Sequence, residues 1–141
     1  MVRQIETRLL REYLYEKYND RLQWTNVPLG PVPFKEMARA FLVALRRADA
    51  IVKNGNELVI VETKVFPEFG GLAQLQAYRE LLQKTPQFSE YQGLPVLLEY
   101  VTTKEDLDVR SQAEGQAIKY IIFRPDWIDA YEKEKKRIPP L

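Results

Sequence analysis

Two residue types that commonly carry catalysis are missing from this chain: it has no histidine and no cysteine. That removes the ordinary neutral-pH general base, thiolate zinc sites, iron–sulfur clusters and disulfides. Chemistry is left to carboxylates, lysine, tyrosine and a hard cation such as Mg²⁺ or Mn²⁺. The grouping with suitable types and spacing is Asp49 with Glu62-Thr63-Lys64. Between them Lys53-Asn54-Gly55-Asn56 reads as a tight turn, Asn54-Gly55 supplying the positive φ angles of a two-residue hairpin. That turn sets Lys53 opposite Asn56, Val52 opposite Glu57, Ile51 opposite Leu58 and Asp49 opposite Ile60. Alternation then puts Leu58, Ile60, Glu62 and Lys64 on one face with Asp49, and Val59, Val61, Thr63 and Val65 on the other. Asp49 and Glu62 become diagonal neighbours about 7–8 Å apart at the backbone. From there two carboxylates can close on one divalent cation, whose oxygen ligands sit at about 2.0–2.6 Å. Lys64 stands at the edge of the same site.

Two carboxylates and a lysine on an otherwise apolar face are costly unless something compensates them. A metal ion is one solution. The other is an ion pair of Glu62 with Lys64 or Arg47 at a strand end. A second Glu-x-Lys, Glu134-Lys135-Lys136, lies in a charged tail with no strand around it. The tripeptide alone therefore leaves the two solutions open.

The elements that must position these residues can be read in outline. Residues 2 to about 18 have helical periodicity, with Val2, Ile5, Leu9, Leu10, Tyr13 and Leu14 on one stripe. Glu6 falls within that stripe, away from the polar side that carries Arg3, Arg11 and Tyr15. It either reaches inward or pairs with an arginine near a frayed end, and Glu16 at the stripe's edge is the reserve. Residues 19–33 read as a loop, marked by Asn19-Asp20, Pro28, Gly30, Pro31 and Pro33, with Trp24 packed on the core's edge. Residues 34–45 carry mixed helix and strand signals, and the first core strand is expected within 34–47. After Lys64 the chain leaves the strand, and a helix over about 72–83 carries Gln74 and Tyr78 on the face of Leu75, Leu81 and Leu82. Those two either look onto the site or form the polar rim of a core face. Residues 95–101 and 118–123 read as strands, and 102–117 as a polar surface segment with some helix. A terminal helix over about 125–137 ends in a basic run, 133–137, read as a solvated end or a contact for a nucleic-acid backbone.

At 141 residues the chain fits one domain over 1–141, with a core over about 2–123. Twenty-one basic and twenty acidic residues give a net charge of +1, so any phosphate-binding surface must be local. No run approaches the ~18 apolar residues of a membrane span, and no signal-peptide pattern opens the chain. An intracellular protein with no membrane contact is expected.

A buried valine-rich strand ending in Glu62-Thr63-Lys64, preceded by a strand carrying Asp49, resembles the PD-(D/E)xK nuclease superfamily. Ala48 stands where a proline often precedes the aspartate. Glu6-Thr7-Arg8-Leu9 resembles the Glu-x-x-Leu pattern of helix one in many of its families. Gln74-Leu75-Gln76-Ala77-Tyr78 is similar to the Gln-hydrophobic-x-x-Tyr motif of the RecB/Cas4-type branch. Gln87-Phe88-Ser89-Glu90-Tyr91 fits the same pattern, but only the first copy follows the Glu-x-Lys strand. The size and the hairpin also resemble small phage-encoded proteins.

The resemblance implies a restriction-endonuclease-like α/β fold with an αβββαβ core, a mixed sheet flanked by helices. It implies Mg²⁺- or Mn²⁺-dependent hydrolysis of DNA phosphodiester bonds, endo- or exonucleolytic. Asp49, Glu62 and the Thr63 backbone carbonyl would be metal ligands, with Glu6 a further one through water. Lys64 would orient or help deprotonate the attacking water, and a cation beside it would make it titrate below a free amine. Gln74 and Tyr78 would position Lys64 or the scissile phosphate. DNA is the implied partner, and the cytoplasm (of the host cell, for a phage protein) the implied compartment, with a homodimer or a partner protein left open. The competing reading is a nuclease-fold module without catalysis, serving protein assembly or nucleic-acid docking. The near-neutral charge favours it, since duplex DNA is held largely through phosphates.

Overall fold

The valine-rich run Glu57–Thr63 forms the central strand of a five-stranded sheet. The computed structural model describes residues 2–31 and 46–137. Their order is α1 (Val2–Tyr18), β1 (Leu22–Leu29), β2 (Arg46–Asn54), β3 (Glu57–Thr63), α2 (Phe69–Leu82), a 3₁₀ segment (Pro86–Tyr91), β4 (Val96–Thr102), α3 (Leu107–Gly115), β5 (Ile118–Ile122) and α4 (Trp127–Arg137). The strands lie in sequence order, β1 to β3 antiparallel and β3 to β5 parallel. This is the mixed α/β sheet with an αβββαβ core that the sequence implied.

β3 is buried on both faces. Leu58 and Ile60 enter one core with α2, the 3₁₀ segment and α3, while Val59 and Val61 enter a second core under α1. Each such side chain contributes about 1.5–3 kcal/mol when fully buried, and that covering fixes which way the strand's last residues point. α1 is held on the sheet by a polar anchor as well as by Leu10 and Leu14. Glu99 of β4 is 3 % exposed and accepts hydrogen bonds from the hydroxyls of Tyr13 (2.7 Å) and Tyr18 (2.8 Å), with Lys17 Nζ at 3.1 Å. Three donors satisfy a carboxylate that would otherwise be expensive to bury.

The hairpin closes differently from the sequence reading. Asn54 pairs with Glu57, Lys53 with Leu58 and Ile51 with Ile60, so Gly55 and Asn56 are the central turn residues. Gly55 has φ +64°, which suits glycine at the first central position of a type II′ turn. The register is displaced by two residues, an even number, so the faces derived for β3 survive. Continued one pair beyond Ala50–Val61, it places Asp49 directly beside Glu62 rather than diagonal to it.

Residues 19–33 are not all loop. Leu22–Leu29 is an edge strand paired along β2 from Leu22–Lys53 to Leu29–Arg46, so the first core strand precedes the 34–47 region in which it was expected. Residues 32–45 lie outside the described residues. Pro28 is compatible with an edge strand, where no ladder donor is required of it. Trp24 does pack at the core's edge, edge-on to Phe88 and Tyr91 at ring separations of 5.0 and 6.0 Å. The strand is irregular in one place. Trp24 and Ile51, and then Val27 and Ala48, all pack against the same core, although plain alternation would put them on opposite faces. Both strands therefore switch faces at Asn26 and Asp49, the one opposed pair missing from the ladder, and Asn26 takes φ +51°. A break of this kind re-aims a side chain, and the side chain it re-aims is Asp49.

Candidate active site

Asp49, at this break, does not simply share the Glu62 face. Its Oδ2 accepts from the Thr63 backbone N–H (2.8 Å) and the Thr63 hydroxyl (2.9 Å), and Thr63 points to the α1 side of β3. The carboxylate thus spans the gap between the faces, with Thr63 on one side and Glu62 on the other. With Glu6, Thr63 and Asn26 it lines a hollow of about 270 Å³ whose rim includes Arg3 and Thr7.

Glu62 points to the α2 side and is 3 % exposed. Its Oε1 is buried without a hydrogen-bond partner among the described residues. Burial pushes this carboxyl up to about 9; the Asp49 charge adds to the rise and Lys64 opposes it. Lys64 follows β3 and lies 3.6 Å from Glu68. Burial alone would pull its ammonium down, but Glu6, Glu62, Glu68 and Asp49 together hold it above the ordinary lysine value. These four carboxylates act in the direction opposite to a neighbouring cation.

Glu6 turns inward from α1. Its Oε2 accepts from the Val65 backbone N–H at 3.1 Å, one residue past Lys64. Burial raises its pKa, and neither that hydrogen bond nor Lys64 fully offsets the rise. The reserve, Glu16, is exposed and lines a different hollow with Tyr15 and Trp127. On α2, Tyr78 belongs to the core on the Glu62 side. Its pKa is raised by burial and then by the Glu62 and Asp49 charges, against Arg46. Gln74 is one turn away, its Oε1 also buried without a partner among the described residues. The second motif copy lies elsewhere: Tyr91 sits against Trp24 and within 6.0 Å of Lys53 Nζ, toward the turn end of the hairpin.

The structure therefore gathers Glu6, Asp49, Glu62, Thr63 and Lys64 at one end of β3, with Tyr78 facing Glu62. Three contributors escaped the sequence reading. They are Glu68, in the loop between β3 and α2, Asn26, in β1 where a loop was expected, and the Thr63 hydroxyl. Only asparagine's tolerance of positive φ hinted at any of them.

Among the described residues no group of three or more Asp, Glu, His or Cys side chains is arranged to hold a metal ion. A set of two carboxylates and a backbone carbonyl is smaller than that, and it suits Mg²⁺, which usually keeps several waters and takes one or two carboxylates. Once ionised, the partnerless Glu62 oxygen and the Asp49 carboxylate beside it would offer hard oxygen ligands. The residues present fit such an ion.

The fold is restriction-endonuclease-like. A repair endonuclease from Pyrococcus abyssi superposes with a TM-score of 0.55 at 12% identity, over 86% of this chain and 47% of that one. EndoMS in complex with dsDNA gives 0.51 at 14%, over 86% and 44%, and AF1548, a protein of unknown function, 0.51 at 16%, over 96% and 65%. The chain spans less than two thirds of each. No protein-family model and no curated protein matches the sequence. No helix among the described residues is long and apolar enough to cross a membrane.

Proposed function

We propose that this chain is a Mg²⁺- or Mn²⁺-dependent nuclease that hydrolyses phosphodiester bonds in DNA. The observation that carries the reading is the buried, partnerless carboxylate oxygen of Glu62 beside Asp49, at the strand end where Lys64 follows. The fold neighbours that are endonucleases, one of them bound to dsDNA, support it. Asp49, Glu62 and the Thr63 carbonyl would hold the ion, with Glu6 reaching it through a water. When bound, it supplies Lewis-acid polarisation of a phosphate oxygen and a water of lowered pKa. Thr63 fixes Asp49 by two hydrogen bonds. Lys64 orients the attacking water and neutralises charge that develops on the phosphate oxygens. Tyr78 and Gln74 position Lys64 or the phosphate from α2.

The test is incubation of purified protein with linear, circular and branched DNA, with Mg²⁺ or Mn²⁺ and with EDTA. Cleavage with metal, none with EDTA, and none by Asp49→Asn is the expected result; cutting in EDTA would overturn the reading. Tyr78→Phe keeps the ring in the core and removes one hydroxyl, so it should slow cleavage by up to about 10²–10³-fold at nearly unchanged stability. Tyr91→Phe should do neither. Equal rates for Tyr78→Phe and wild type, with chemistry limiting, would leave Tyr78 as core packing alone.

A second reading, a nuclease-fold module that docks without cutting, is favoured by the net charge of +1. It requires no cleavage of any DNA form with either metal.

A further inference from the structure

α1 contributes Glu6 to the site with its inner face, while its outer face carries an arrangement that the cleavage chemistry does not use. Arg3, Thr7, Arg11 and Tyr15 follow one another at intervals of four residues and are all exposed. Such spacing draws a continuous line that winds slowly around a helix. Three hollows adjoin it in turn. The site's own hollow shares Arg3 and Thr7 with a second of about 280 Å³. That one shares Arg11 with a third, an open groove of about 1080 Å³ between α1 and the start of α4. Tyr15, 73 % exposed, lies in this groove.

The three arginines of this face are not equivalent. Arg8 is engaged: its Nε donates to Glu12 at 2.9 Å, and its guanidinium lies 4.2 Å from the centre of the Trp127 ring. Trp127 Nε1 in turn donates to Glu12. This cluster joins α4 to α1 and consumes the Glu12 carboxylate. Arg3 and Arg11 make no ion pair among the described residues, so two cations about 12 Å apart along the helix point outward beside the hollows. Arg3 and Arg11 are thus the positions on this face open to a phosphate, whereas the groove around Tyr15 also carries Glu16 and Asp126.

On these observations, and resting on the nuclease reading above, we propose that the outer face of α1 is a track for an unpaired DNA strand leaving the scissile phosphate. Arg3 and Arg11 bind phosphates along it, and a base stacks on Tyr15 in the groove. A single strand is the occupant because its bases are free to stack on an exposed ring, whereas those of a duplex are stacked on one another.

The test is fluorescence anisotropy in EDTA, where binding is read without cleavage, using a labelled oligonucleotide as a single strand and as a blunt duplex. Wild type should bind the single strand more tightly. Arg3→Ala/Arg11→Ala should weaken that binding and reduce the slope of log K against log salt by about 1.4, two phosphates at about 0.7 each. Tyr15→Ala should weaken it about fivefold or more, the low end of one stacked base, without changing the slope, and Tyr15→Phe should restore it. Preference for the duplex, or a single-strand affinity and salt slope that ignore both variants, would overturn the track. Cleavage assays separate this from the underlying reading. A protein that cuts with Mg²⁺ but fails these binding tests loses only the track, and one that passes them but never cuts loses the nuclease reading.

Discussion

Glu62→Gln is expected to end DNA cleavage and, in the presence of EDTA, to make the protein more stable. Both effects come from one atom. Glu62 Oε1 is buried with no partner among the described residues, next to a second carboxylate, and an ionised acid so placed is costly. An amide of the same shape carries no charge there, and relief of the penalty is worth about 1–3 kcal/mol. The pH dependence has a definite sign. A free glutamate titrates near about 4.3, whereas burial and then Asp49 push Glu62 up to about 9. Between those values the folded protein binds more protons than the unfolded chain, so stability falls as pH rises through that window. The glutamine variant lacks this slope. The two proteins should therefore melt alike near pH 5 and diverge toward pH 9, with the variant the more stable. Mg²⁺ or Mn²⁺ should reverse the order by raising the melting temperature of wild type alone, since only a group that binds the folded state stabilises it. Cleavage by the variant should fall by at least about 10²-fold. A glutamine variant that melts below wild type at pH 8 in EDTA, or that cuts normally, would remove Glu62 from the metal site.

How much of this was legible in the sequence depends on where even spacing was kept. β3 could be read to its last residue, because alternation along a strand buried on both faces leaves one phase for Glu62 and Lys64. The hairpin register was displaced by two residues, since Asn54-Gly55 and Gly55-Asn56 are both acceptable turns and only the packed sheet selects between them. That displacement did no harm to the faces. Asp49 was harder, because it sits where β1 and β2 change face together, and a strand taken for a loop cannot reveal that its partner breaks step. Prolines at 28, 31 and 33 obscured β1; of these Pro28 lies within the strand, and an edge strand needs fewer donors than a central one, so it argues less strongly against a strand than a central proline would. Glu6 was legible because a carboxylate inside an apolar stripe must find a partner, and Val65 N–H provides it. Glu99 sends the same signal, a carboxylate within a buried strand, but its partners Tyr13 and Tyr18 lie more than eighty residues away. No local pattern connects them.

Substitution of Lys64 is expected to separate cleavage from metal binding. Four carboxylates, those of Glu6, Glu62, Glu68 and Asp49, hold its ammonium protonated, and that same charge would repel a cation placed between Asp49 and Glu62. Lys64→Met keeps most of the side chain's length and packing while deleting the charge. Cleavage should then fall by about 10²–10³-fold, while Mn²⁺ titrated into the variant should bind as tightly as into wild type or more tightly. Glu62→Gln, by contrast, should lose both. A structural role, in which Lys64 serves only as a counter-ion for Glu68 at 3.6 Å in place of the expected pairing of Glu62 with Lys64 or Arg47, is tested by Lys64→Arg. Arginine preserves the charge and the pairing, but its guanidinium does not deprotonate and presents its donors in a fixed planar fork rather than at one point. A counter-ion would survive that exchange with its cleavage rate intact. A residue that must orient a water, and help take its proton, would not. Wild-type cleavage by Lys64→Arg, or loss of Mn²⁺ binding by Lys64→Met, would assign this lysine to structure and leave the attacking water without a partner at this end of β3.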